Sequence, residues 1–420
     1  MKKNDILTGA FLERLVEVYG NDEVSFQQER YVKLAESFEK DFSENADLRF
    51  FSAPGRTEVG GNHTDHNNGK VLAAAINLDA VAAVSCRDDG IICVNSEGYT
   101  PIIVDSADLE IKNEEAGKSN ALIRGICARF KQLGYKYGGF NASVTSRVLS
   151  GSGLSSSAAY EVLIGTILNY LYNDGKISAV EIAQISQYAE NVFFKKPCGL
   201  MDQTACSVGG FVQIDFEDTD KPVINKVDFD IAKHGYNLCI VDTGGDHADL
   251  TDDYAAIRLE MNSVAEFFGK NVLRQVPEKD VFEHMGDIRK KTGDRAIERA
   301  IHFYNENKRV DRLATALANG EFEEFKATII ESGKSSYMYN QNCFTLSNPG
   351  SQPVALALCL TEELLKGKGA YRVHGGGFAG TIQAFVPAEE TEKYVSSMKK
   401  VFGENSCYIL KVRSYGGCEI

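Results

Sequence analysis

Apolar positions recur along the chain with two spacings, and each spacing predicts its own kind of element. Helical spacing comes first: Ile6, Leu7, Phe11, Leu12, Leu15, Val16 and Val18 fall close to one face over 5–20, and 28–41 repeat the style with more charge. A stretch dense in Gly, Asn, Asp and His, 51–69, then separates a short apolar segment from the mostly apolar run 71–83. Residues 77–105 read as several short strands, two of them joined as a hairpin at Asp88-Asp89-Gly90. A helix over 119–133 shows Leu122, Ile126, Phe130 and Leu133 on one face. The alternating segment 142–149 predicts a strand. After Ser150 to Ser157 a helix begins, with the stripe Ala159, Val162, Leu163, Thr166, Ile167, Tyr170 and Leu171. Another helix, about 178–193, is broken by Pro197 and Gly199. Strands at 211–216 and 236–242, a helix with Tyr254, Ile257, Met261, Val264 and Phe268 on one face, a largely helical 280–334 and a strand at 381–386 closed by Pro387 complete the pattern.

Size changes the picture from one core to two. At 420 residues the chain is long for a single core, so two domains sharing a cleft are expected. After Gly209-Gly210 and the strand that follows, the composition turns acidic at Asp218 and Asp220, which places the boundary near 216 and gives domains of 1–215 and 216–420. Charge narrows the partners: 45 basic against 59 acidic residues leave a formal −14, with no basic run, so nucleic acid and anionic membrane are excluded as partners. Ten scattered cysteines without a Cys-x-x-Cys pair argue for reduced thiols and a cytoplasmic location. Glu13, Arg14 and Glu17 interrupt the N-terminal segment as a signal peptide, and no apolar run approaches a membrane span.

Candidate chemistry sits in the glycine-rich joints. Ser150-Gly151-Ser152-Gly153-Leu154-Ser155-Ser156-Ser157 lies between a strand and a helix, where unpaired backbone N–H groups, the positive end of the helix dipole and glycine's close approach favour a phosphate. Its serines offer hydroxyls to a phosphate oxygen or to Mg2+. An ordinary turn with serine caps reads equally well from this stretch alone. A Walker A loop is absent: the two Gly-Lys-Ser sites, at Gly117 and Gly333, have Lys112 and Thr328 where its first glycine belongs. A dinucleotide fingerprint here would need glycine at Ser156. The literal Gly-x-Gly-x-x-Gly at Gly375 to Gly380 leads into a strand, so it predicts a tight turn between strands.

The side chains of Arg56, Asn62, His63, Thr64, Asp65 and His66 are hydrogen-bonding groups suited to a polyhydroxylated ligand such as a sugar. A surface ion pair is the alternative for Arg56. The two histidines lack a further clustered ligand for a metal, and Thr57 and Glu58 read as structural. Asp202 either presents its carboxylate into a cleft or caps the next segment. Tyr254 starts an apolar stripe and reads as core.

Together, Ala53-Pro54-Gly55-Arg56 with His63-Thr64-Asp65, the 151–158 run, Gly375 to Gly380, and Pro197-Cys198-Gly199-Leu200-Met201-Asp202-Gln203 resemble the GHMP small-molecule kinases, and among them most closely the galactokinase family. The likeness runs from about residue 50 to the end, with the motifs in order. It implies a two-domain α+β fold with the active site in the interdomain cleft. It further implies a sugar 1-kinase using ATP and Mg2+, with monomer the favoured state. Asp202 would face the anomeric hydroxyl with Arg56 beside it. Gly151, Ser152, Gly153, Leu154, Ser155, Ser156 and Ser157 would bind ATP, Ser157 and Glu190 would hold Mg2+, and Asn62, His63, Asp65, Gly199 and Tyr254 would meet the sugar.

Four positions depart from the family pattern: Asn62 where Glu usually precedes the His, Glu58 where Asn follows the Gly-Arg-Val, His66 for a usual Tyr, and Leu149 for a usual Pro. Asn both donates and accepts where Glu only accepts, which keeps galacturonate, N-acetylgalactosamine and arabinose open beside galactose. A non-catalytic sugar-binding regulator on the same fold is the competing class. A nicotinamide-dependent oxidoreductase fails on the strand after Gly380.

Overall fold

Two long strands frame the protein: β1 (Arg49–Gly60) and β2 (Lys70–Arg87), antiparallel and joined by the polar loop 61–69. The computed structural model describes residues 6, 8–42, 47–148, 153–245, 250–378 and 380–420. Ala73, Ala74, Ala75, Ala80, Ala82 and Ala83 leave β2 buried almost throughout, because small side chains let layers pack close on both faces. β3 (Ile91–Ser96) and β4 (Ile102–Asp105) follow, then β5 (Gly139–Ser146) after the helix Ser119–Gln132.

β5 runs antiparallel to β2 and parallel to β3, and so lies between them. The hairpin expected at Asp88-Asp89-Gly90 therefore does not form: the chain turns there, but both flanking strands pair with one that arrives fifty residues later. Of the short strands expected over 77–105, β3 and β4 form, but 77–87 is the second half of the long β2. β6 (Phe211–Asp215) pairs with the first half of β2, and β7 (Val223–Val227) with β6.

A second, antiparallel sheet has the order β11-β8-β10-β9, from β8 (Tyr236–Asp242), β9 (Ala370–His374), β10 (Thr381–Pro387) and β11 (Cys407–Leu410). His374 pairs with Thr381, so the third glycine cluster is the turn of the β9–β10 hairpin, as its strand pattern indicated. β12 (Cys418–Glu419) returns to the first sheet beside β1. Helices packed on a mixed first sheet and an antiparallel second sheet make the molecule α+β.

Alternation in β1 sorts the first sheet's faces. Phe51 joins the main core with the helix Ser156–Tyr172, while Phe50 joins the separate core of the two leading helices, Ala10–Tyr19 and Val24–Phe42, with Phe11, Tyr31 and Phe38. Between these cores lies the wholly buried Asp79. It accepts from Arg30 at 2.5 Å, Arg413 at 2.9 Å, Ser52 at 2.5 Å and Tyr19 at 2.6 Å. Burial would raise its carboxyl, but the two guanidinium groups outweigh it and hold the group down at about 2.

Candidate active site

The first strand delivers Arg56, and the glycine-serine joint meets it. Nε and Nη2 of Arg56 donate to Oδ1 and Oδ2 of Asp202 at 2.8 and 2.9 Å, and Nη1 donates to the Gly153 carbonyl at 2.5 Å. Asp202 is the second residue of the helix Met201–Val208, a position where the helix dipole favours a carboxylate; Leu200, not Asp202, precedes the helix. Ser155 precedes the helix Ser156–Tyr172 with φ 58°, and its hydroxyl makes no cap but donates to Asp202 Oδ2. Burial alone would raise the Asp202 carboxyl. Arg56, with the Ser155 hydroxyl, holds it below the usual carboxylate range.

A cleft of 310 Å³ opens here, its walls including Arg56, Glu58, His63, Asp65, Gly199, Asp202 and Gly376. His63 turns through φ 59° and bonds the Gly376 carbonyl through Nε2 at 2.9 Å, which ties the polar loop to the β9–β10 turn. Burial depresses the His63 imidazole and raises the Asp65 carboxyl, while burial and the neighbouring His63 bring His66 to about 3. Asp65 Oδ2 lies 3.1 Å from where a Cβ on Gly199 would fall, so that glycine keeps the floor open.

The structure does not bring Asn62 to the cleft wall. Its amide donates to Glu58 Oε1 at 3.0 Å and the Gly375 carbonyl at 2.7 Å, and its oxygen accepts from Asn342 at 2.8 Å, all within the core. Tyr254 also lies outside the lining: its hydroxyl donates to the Gly377 carbonyl at 2.8 Å and its ring meets Phe378 edge-on at 5.1 Å. Gly377 is required there, since at φ 82° an added Cβ would sit 2.0 Å from the Asn342 carbonyl oxygen.

A second cavity of 460 Å³ is lined by Ser156, Ser157, Tyr160, Ser96, Lys118 and Phe194 among others. Leu154 is buried in the main core. Gly151 and Ser152 lie outside the described residues. Glu190 sits in the π-helical turn Ala189–Phe194; its carboxylate accepts from Gln203 Nε2 at 2.7 Å and Lys196 Nζ at 3.0 Å. The same Gln203 amide reaches Glu161 at 3.0 Å. Burial first, then the Glu190 charge, push the Glu161 carboxyl well above its ordinary value. Among the described residues no group of three or more His, Cys, Asp or Glu could hold a metal by itself.

Sequence reasoning missed how the joints are bolted together. Glu58 lines the cleft while pairing with the buried Arg372 at 2.7 Å, a partner 314 residues away. His374 Nε2 accepts from the Glu58 N–H at 3.2 Å, so Nδ1 carries the proton and donates to Thr381 Oγ1 at 2.8 Å. Burial and two nearby arginines keep that ring neutral. No local signal marks either long-range partner.

The comparisons with known proteins converge on this region. Residues 36–86 match the galactokinase galactose-binding signature, and 121–210 the GHMP kinases N-terminal domain. A galactokinase of Streptomyces coelicolor is 32% identical over 362 residues, 84% of this chain and 88% of that protein. One from Glaesserella parasuis is 32% identical over 88% of this chain and 91% of its own length. Lactococcus lactis galactokinase complexed with galactose shares the fold with a TM-score of 0.77 at 23% identity, covering 93% of this chain and all of that one. A mevalonate kinase gives 0.60 at 14% identity over 87% and 99% of the two chains. No helix among the described residues is long and apolar enough to cross a membrane.

Proposed function

The chain belongs to the galactokinase family of GHMP kinases, and from that premise we propose that it transfers the γ-phosphoryl group of ATP to the anomeric hydroxyl of galactose, giving galactose 1-phosphate and ADP. The observation that carries this reading is the doubly bonded Arg56–Asp202 pair in the wall of the cleft, bonded to Gly153 and Ser155 of the joint whose next two serines line the second cavity. The sugar takes the cleft of His63, Asp65 and Gly199. The nucleotide takes the neighbouring cavity, with its phosphates toward Gly153, Ser155, Ser156 and Ser157.

Asp202 Oδ2 accepts two donors and Oδ1 one, so Oδ1 keeps a lone pair, among the described residues, for the sugar hydroxyl. The sugar oxygen forms the new P–O bond, the bond to the β-phosphate oxygen breaks, and the hydroxyl proton passes to Oδ1. With its carboxyl held below the usual range, Asp202 is a weak base. The proton therefore moves late, after the attacking oxygen has become acidic. Arg56 keeps the carboxylate ionised and oriented, and His374 fixes the strand that carries it.

Oxygen donors suit Mg2+, which is normally held by one or two carboxylates together with substrate phosphates. The Ser157 hydroxyl and the Glu190 carboxylate are that kind of donor set for an ion that arrives with the nucleotide. When bound it supplies positive charge to the phosphate oxygens. Ser157→Ala is expected to raise the Mg2+ concentration for half-maximal rate several-fold; unchanged metal titration curves would remove Ser157 from that role.

The departures at Glu58 and Asn62 form one exchange in space. Carboxylate and amide trade the positions usual in the family, they bond each other at 3.0 Å, and the carboxylate still reaches the cleft wall. The test is ADP release from ATP and Mg2+ with galactose, galacturonate, N-acetylgalactosamine, arabinose and glucose in turn. Galactose is expected to give the highest kcat/KM. A different winner reassigns the substrate, and nucleotide binding without release with every sugar indicates the regulator.

A further inference from the structure

One charged side chain beside the transfer path has no role in the scheme above. The chain from Phe194 to Cys198 joins the two cavities: Phe194 lines the one with Ser157, and Cys198 and Gly199 line the one with Asp202. Lys196 is the midpoint of that bridge. Its place follows from the backbone, since the π-helical turn ends at Lys195 with φ 67°, a reversal that lets the Lys196 N–H donate to the Glu190 carbonyl at 3.1 Å. The side chain then folds back, and Nζ rests 3.0 Å from Glu190 Oε1.

The two partners of Glu190 differ in kind. Gln203, next to Asp202 in sequence, is fully buried and fixed, whereas the Lys196 side chain is 60% exposed over a carboxylate only 3% exposed. A half-solvated ammonium on a four-carbon stem adds little to folding as an ion pair. It can swing. Its charge already reaches both Asp202 and Glu161.

We propose that Lys196 is a catalytic residue of the phosphoryl transfer: its ammonium neutralises Glu190 in the free protein and shifts onto the transferring phosphoryl oxygens once the nucleotide and its metal engage Glu190. The proposal rests on the kinase reading above. A cation held at Glu190 would repel the ammonium, and a nucleotide in the neighbouring cavity would offer it a new anion in its phosphates. There it stabilises charge that spreads over the phosphoryl oxygens in the transition state.

Lys196→Ala and Lys196→Arg separate this from a merely structural pair. Two quantities are measured: Mn2+ affinity of the nucleotide-free protein, from the free-ion electron paramagnetic resonance signal, and kcat and KM for galactose by ADP release. Lys196→Ala is expected to bind Mn2+ several-fold tighter, because Glu190 has lost its internal cation, and to lose roughly 10²-fold in kcat with galactose KM within about twofold. Lys196→Arg, which keeps the charge, should recover most of the rate. A kcat within about threefold of the parent, or an unchanged Mn2+ affinity, overturns the proposal. Absence of turnover by the parent protein on every sugar would instead overturn the kinase reading, so the two failures are distinguishable.

Discussion

Replacing Asp202 with asparagine is expected to lower kcat for galactose-dependent ADP release by roughly 10²–10⁴-fold, the range lost when a positioned general base is removed. The amide keeps nearly the same shape and one oxygen for Arg56, but it cannot take the hydroxyl proton. The loss should therefore fall on kcat and kcat/KM together, with galactose binding measured by calorimetry changed only a few-fold. Arg56, whose side chain is only 10% exposed, loses its ionised partner in this variant, so a thermal melt must accompany the kinetics. A folded Asp202→Asn protein with near-parental turnover would remove Asp202 from the chemistry.

The second large effect is on stability and lies away from the cleft. Asp79→Ala strands Arg30 and Arg413, which are buried and share that carboxylate, and breaking a buried pair by deleting one member costs about 3–5 kcal/mol. Urea unfolding should show the loss as a shift in midpoint with little change in slope. A cost below about 1 kcal/mol would mean that the arginines find other partners.

The same carboxylate predicts acid sensitivity. Its folded value of about 2 lies below the ordinary 3.8, so its stabilisation is present above pH 4 and is lost as the pH falls toward 2. A shift of that size corresponds to about 2 kcal/mol. Asp79→Asn should flatten that part of the stability profile.

Periodicity made much of this molecule legible. The helix after the glycine-serine joint, the helix broken before Cys198 and the β9–β10 hairpin all follow from spacing and turn residues, because those are local signals. The expected hairpin at Asp88-Asp89-Gly90 failed because a turn signal states that the chain reverses, not which strand will lie alongside; β5 outcompetes β3 for that edge of β2.

In the candidate site, Arg56 lies beside Asp202 as the motifs suggested, while the Ser155 hydroxyl, expected toward a phosphate, donates to Asp202. Asn62 and His63 show the limit of such reading. Side by side in sequence, they are parted by the positive φ at His63, so that one ring reaches the cleft and one amide enters the core. A loop of alternating polar residues gives no sign of which will turn inward. Arg372 and His374, which brace Glu58, are invisible for a different reason: their partners are more than 300 residues distant.

The return of β12 to the edge of β1 has a consequence for biosynthesis. Ile420 N–H bonds the Phe50 carbonyl, Glu419 pairs with Arg49 across 370 residues, and Arg413 reaches Asp79, so residues synthesised far apart in time are neighbours in the sheet that carries Arg56. While the ribosome still shelters residues 413–420, the strand supporting Arg56 has an open border and Asp79 lacks one of its two cations. Nascent chains stalled before residue 413 should thus be protease-sensitive throughout the first sheet, however much of it has already emerged.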